Sequence, residues 1–210
     1  MSKRSPGLGW IDKRDLVPGL KFALLLLFLL VVIIYANSLN GAWQFDDEPN
    51  IVNNASVHLR SLDRGSIVKT FYGFEQEEIY RPLAYLSFGL NYYLGGIDPR
   101  GYHVVNLAIH FLAAVFLLLF IHRTLNLPRL KKAYGRDAYA IALLTAFLWA
   151  VNPVQVTAVT YIVQRMASLA GLFYILSLYL YLLGRTSEVR CKKILFFSLC
   201  AATAALAVGT

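Results

Sequence analysis

FALLLLFLLVVIIYA, residues 22–36, contains no charge and nothing more polar than one tyrosine. Extended through uncharged residues to Phe45, it is long enough to cross a hydrocarbon core, which takes about 20 consecutive apolar residues. Working outward, the same reading recurs along the chain. Spans are expected near 22–38, 102–122, 138–153, 166–184 and 194–210, with Pro153 making the turn between the third and the fourth. The composition agrees. Of 210 residues, 58% are hydrophobic and 15% charged, against about 25% charged in a soluble domain. So few charges cannot cover a globular surface, and so much apolar content excludes disorder. Cys191 and Cys200 alone cannot make a disulfide scaffold and read as small packing residues. The expected fold is all-α, a polytopic transmembrane bundle of about five spans with a long loop at 37–101 that contains short interfacial helices.

The charges set an orientation. Three segments flank the spans on one side: residues 1–21, the stretch from Arg123 to Asp137, and the stretch from Arg185 to Lys193. They hold fourteen of the 20 basic residues and four of the 12 acids, a net +10, while the rest of the chain sums to −2. Basic residues gather in cytoplasmic segments, so 1–21 is read as a cytoplasmic basic N-terminus, 22–210 as the membrane domain, and loop 37–101 as facing outward. The net charge of +8 is then a topology signal and calls for no nucleic-acid partner. The basic start with its apolar run also looks like a signal peptide, but the run is long for one and no small-residue cleavage site follows. It reads as a retained first span.

Loop 37–101 holds eight of the 12 acids. Trp43 and Phe45 belong at a membrane–water interface, which puts Asp46 and Asp47 just above the bilayer. Exposed acids are usually solvated charge. Here Pro49 and Asn50 make a turn after them, and carboxylates beside a low-dielectric boundary suit a general base. Oxygen ligands of this kind also suit a divalent cation; no other cofactor is indicated. Ser66 to Tyr72 reads as a short helix, and Pro82 to Leu94 as an interfacial one.

Ionisable and amide side chains within spans default to functional candidates. His103, Asn106 and His110 fall at i, i+3 and i+7, one helix face, and should point into the bundle, where hydrogen bonding is favoured over a two-histidine metal site. Arg165 and Arg81 each read either as snorkelling interfacial arginines or as bidentate ligands of a lipid phosphate. Acids and fixed cations at one membrane face suit transfer chemistry on a phosphate-linked lipid.

Four blocks extend this. YANSLNGAWQFDDEPNIVNN (35–54), RPLAYLSFGLNYYLGG (81–96), GYHVVNLAIH (101–110) and NPVQVTAVTYIVQRMASLAGLFYILSLYLYLLGR (152–185) resemble, in order and spacing, the N-terminal membrane part of GT-C-type glycosyltransferases with C-terminal tetratricopeptide repeats. These are the bacterial relatives of the transmembrane-and-TPR-containing protein O-mannosyltransferases. The resemblance implies a GT-C fold in a bacterial inner membrane and a polyprenyl-phosphate-linked sugar, typically mannose, as donor. It implies a serine or threonine hydroxyl of an acceptor protein as the receiving group. Asp46 or Asp47 corresponds to the family's catalytic base and Arg165 to its phosphate ligand. Such proteins continue beyond the length of this chain, so it is expected to be the first part of a longer protein, inactive alone. A different reading stays open: a non-catalytic membrane anchor or assembly subunit whose outer loop binds a partner.

Overall fold

The computed structural model describes residues 19–73 and 79–210. Almost all of the expected basic N-terminus, 1–21, lies outside the described residues. Among these residues there is no β-strand, and nine α-helices carry the fold: α1 (Leu20–Tyr35), α2 (Arg64–Thr70), α3 (Pro82–Gly95), α4 (Pro99–Leu125), α5 (Pro128–Tyr134), α6 (Ala138–Ala150), α7 (Val156–Thr160), α8 (Arg165–Thr186) and α9 (Arg190–Val208). Four segments are long and apolar enough to cross a membrane: Leu20–Asn40, Pro99–Leu125, Ile162–Thr186 and Arg190–Val208. A bent pair, Ala138–Ala150 with Pro153–Thr160, makes a fifth if it counts as one span. The all-α polytopic bundle expected from the sequence is the fold observed, and the chain is an integral membrane protein.

The helix ends follow local chemistry. Asp98 accepts the Arg100 backbone N–H ahead of Pro99, whose missing N–H costs nothing in a first turn. Asp63 caps α2 by accepting the Ser66 N–H at 3.0 Å. The Ser61 and Ser66 hydroxyls bonded to the Asp63 carboxylate hold it below the usual carboxylate range. That helix is observed at Arg64–Thr70, two residues earlier than the 66–72 expectation, because the Asp63 cap sets its start. At α6 the chain reaches Pro153, which has no N–H to continue a helix. Asn152 Oδ1 takes the Val154 N–H instead, at 3.0 Å, and the next helical segment leaves at 51°.

Helix α4, about 40 Å long at 1.5 Å per residue, is the central post against which α1, α6 and α8 pack, and α9 packs on α8. Its contact with α6 is close for a compositional reason. Ala138, Ala142, Ala146 and Ala150 are all buried, and four-residue spacing puts them on one face. Small side chains let the two backbones approach, the usual basis of helix association in a membrane, where lipid tails are as apolar as leucine. The end of α6 is pinned as well. The Ala150 carbonyl accepts the Tyr35 hydroxyl at 3.0 Å and pairs with His110 Nε2 at 2.9 Å. One freed helix-end acceptor thus joins α1, α4 and α6.

Candidate functional site

The chemistry gathers where loop 37–101 folds over the break between α7 and α8. Residues 44–48 turn tightly: the Asp47 N–H donates to the Gln44 carbonyl at 2.8 Å. Phe45, at φ 38°, occupies the left-handed region that a bulky residue rarely adopts. Turning at Phe45 sends the two acids in different directions.

Asp47 points inward and is 1% exposed. One carboxylate oxygen accepts the Gln44 N–H at 3.0 Å and the other the Val163 N–H at 2.8 Å, across 116 residues of sequence. Burial pushes its carboxyl above the ordinary value of 3.8, and the two N–H donors act against that rise without cancelling it. Asp46 points outward and is exposed. It lines a groove of about 510 Å³ together with Asn50, Tyr80, Arg81, Gln164 and Met166. Its own peptide unit is held on both sides. The N–H donates to the Tyr161 hydroxyl at 2.9 Å, and the carbonyl accepts Asn50 Nδ2 at 2.8 Å. Asn50 is fixed in turn by the Tyr85 hydroxyl, which donates to Asn50 Oδ1 at 2.6 Å.

The two arginines separate in the same way. Arg81 is exposed beside Asp46's groove, its guanidinium 4.9 Å above the Tyr80 ring with one N–H on Met166 Sδ at 3.1 Å. At φ 47° it is the second non-glycine residue, with Phe45, held in the left-handed region among the described residues. Backbone strain of this kind costs about 1–3 kcal/mol and clusters at functional sites. Here both strained residues adjoin the groove.

Arg165, read from the sequence as a phosphate ligand, is not on the groove. It is fully buried at 0% exposure, and protein acceptors take every part of its fork. Nε donates to Asn106 Oδ1 at 2.7 Å, one terminal nitrogen to Asn91 Oδ1 at 2.6 Å and the other to the Tyr102 carbonyl at 2.9 Å. Phe88 and Tyr102 place their rings 4.9 and 5.5 Å from the guanidinium carbon. The physical reason is the position of α3. Rather than only lying along the surface, it buries Ala84, Tyr85, Phe88, Gly89 and Asn91 and covers the start of α8.

The three polar residues of α4 are buried. Asn106 is the hub: besides receiving Arg165, its amide reaches the Val159, Tyr161 and Ile162 carbonyls at 3.3–3.5 Å, satisfying backbone left unpaired at the α7–α8 break. His110 joins Ala150 as above. His103 lies against Gly41, where a Cβ would come within 2.9 Å of Nε2, so glycine is needed there for close approach. Sequence reading missed Tyr161, whose partner Asp46 lies 115 residues away, and saw in Asn50 only a turn residue, not its bond from the Tyr85 hydroxyl. Asn91 carried a signal, an amide within an apolar helix.

No group of three His, Cys, Asp or Glu that could hold a metal ion forms among the described residues. Asp47 is buried with each oxygen on a backbone N–H, while Asp46 faces outward, so the acidic pair does not present two carboxylates to one ion in the groove.

The chain matches no protein-family model and no solved structure. It is similar to curated proteins. It is 33% identical over 177 residues to a protein O-mannosyl-transferase of Caenorhabditis elegans, covering 82% of this chain and 24% of that protein. Two protein O-mannosyl-transferases of Homo sapiens are each 34% identical, over 161 and 151 residues. These alignments cover 70% and 69% of this chain, and 21% and 16% of the human proteins. The chain thus spans under a quarter of the length of these relatives. The resemblance read from the four sequence blocks is borne out at the level of the family: the proteins that this chain resembles over 69–82% of its length are protein O-mannosyl-transferases.

Proposed function

We propose that this chain forms the base-bearing part of a membrane mannosyltransferase that moves mannose from a polyprenyl-phosphate donor to a serine or threonine hydroxyl of a protein. The reaction takes place at the outer face, with the N-terminus in the cytoplasm. Asp46 is the general base. It takes the proton of the acceptor hydroxyl as that oxygen bonds to the anomeric carbon. The bond from that carbon to the phosphate oxygen breaks, and the electron pair leaves with the polyprenyl phosphate. Arg81, with guanidinium donors beyond the one on Met166, offsets the charge gathering on the departing phosphate. Asp47 and Arg165 hold the framework and touch no substrate.

The observation that carries this reading is the exposed Asp46 carboxyl sharing one groove with Arg81, each beside or on a strained backbone position, in a chain whose relatives are named for mannosyl transfer. The basic residues on the opposite ends of the spans support the orientation. The test is transfer of mannose from the lipid donor to an acceptor peptide in membranes containing the whole enzyme of which this chain forms a part. Asp46→Asn keeps the shape and removes the base. It should lower transfer by at least about 100-fold without lowering the amount of protein in the membrane. Undiminished transfer would sink the proposal.

A further inference from the structure

We infer that Tyr161 is a positioning residue for Asp46, and that the turn at residues 161–163 is the part of the membrane domain that sets where the acidic turn sits. This rests on the reading of Asp46 as the base. The acidic turn of loop 37–101 and the break before α8 are 115 residues apart in sequence, yet they are joined by two short hydrogen bonds only two residues apart. The Asp46 N–H donates to the Tyr161 hydroxyl at 2.9 Å, and the Val163 N–H donates to the Asp47 carboxylate at 2.8 Å.

Each end is anchored. The Tyr161 ring packs, with Trp43, against a core of Ile51, Tyr85, Phe88, Tyr102, Ile162 and neighbours, so its hydroxyl has little freedom to follow a moving partner. The Tyr161 carbonyl lies in the reach of the Asn106 amide, which roots the turn in α4. On the loop side, Phe45 holds a left-handed conformation, and its ring, 84% exposed, is not packed into the protein core. Hydrogen bonds to the backbone around it help maintain that conformation. Within the turn the Asp47 N–H meets the Gln44 carbonyl, and from outside it Tyr161 takes the Asp46 N–H while Asn50 donates to the Asp46 carbonyl. A tyrosine is suited to taking the Asp46 N–H because the bond requires an acceptor presented on a rigid, apolar arm. Phenylalanine keeps the arm and deletes the acceptor.

Tyr161→Phe separates this role from folding. The steady-state constants for mannose transfer and peptide-level hydrogen–deuterium exchange are measured on the membrane-embedded protein, beside Asp46→Asn. The expected result is a fall in kcat of about tenfold, the worth of one lost hydrogen bond, with KM for the lipid donor within about twofold. Exchange should also quicken about tenfold in the peptide spanning the acidic turn and stay unchanged in α4 and α8. Unchanged exchange in the acidic turn, or equal quickening throughout, overturns the inference whatever activity remains. Unchanged kcat in Tyr161→Phe, where Asp46→Asn is inactive, overturns it while the base assignment stands. Full transfer by Asp46→Asn brings down the assignment itself.

Discussion

The groove surface and the layer beneath it are built from the same two residue types and use them oppositely. Each holds one aspartate and one arginine: Asp46 and Arg81 above, Asp47 and Arg165 below. Above, both are exposed, beside or on strained backbone, and bonded to the protein sparingly. Below, both are buried, and their charged atoms are occupied by backbone N–H groups, carbonyls and amides. The difference shows that side-chain chemistry alone assigns no role. A carboxylate whose oxygens are taken by backbone N–H groups serves as a staple, and one that lines a groove stays within reach of another molecule.

The largest expected effect lies in the lower layer. Arg165→Met strips the bonded cation from Asn106, Asn91 and the Tyr102 carbonyl and should cost about 3–5 kcal/mol, seen as a collapse of folded protein in a detergent melt. Arg165→Lys should not restore it, since an ammonium cannot supply the planar fork. A stable Arg165→Met protein would erase the distinction between the layers.

Asp47→Ala comes next. It strands the Gln44 and Val163 N–H groups and should cost about 1–3 kcal/mol. The same residue gives a pH signature. Its carboxyl titrates above the ordinary 3.8 in the folded protein, so the folded state binds the proton more readily than the unfolded one. This contribution to stability is complete below 3.8 and is lost as pH rises through the raised value. Melting temperature should fall across that window in the wild type, and Asp47→Asn should flatten the fall. A slope unchanged in Asp47→Asn would mean that the carboxyl is not buried in a titrating state.

The smallest effect on stability belongs above. Arg81→Ala should leave the melt within about 0.5 kcal/mol, yet lower kcat/KM for the lipid-linked donor about tenfold through the lost charge-assisted contact. An equal loss of stability and kcat/KM would place Arg81 with the lower layer.

Much of this was legible beforehand. Apolar runs long enough to span a bilayer dictated helices, since no other single-segment structure satisfies its backbone in lipid. The i, i+3, i+7 spacing of His103, Asn106 and His110 put them on one face. The acid pair was visible as a pair, and the four blocks pointed to the family. Which acid faces the groove was not legible, because adjacent residues are chemically identical until the turn at Phe45 orients them. The place of Arg165 was hidden for a related reason. An arginine at the head of a span reads as interfacial, and only the cover provided by α3 makes it a buried hub.

The sequence by itself therefore determined the class of molecule and its helical layout, because transfer of apolar side chains out of water and helical periodicity are local properties of the chain; its ordered blocks also carried the resemblance to the relatives. The tertiary structure decided which aspartate and which arginine face the groove and which tyrosine meets the Asp46 backbone. Burial and hydrogen-bond partnership are set by segments 59 to 116 residues apart, and no local pattern encodes those meetings.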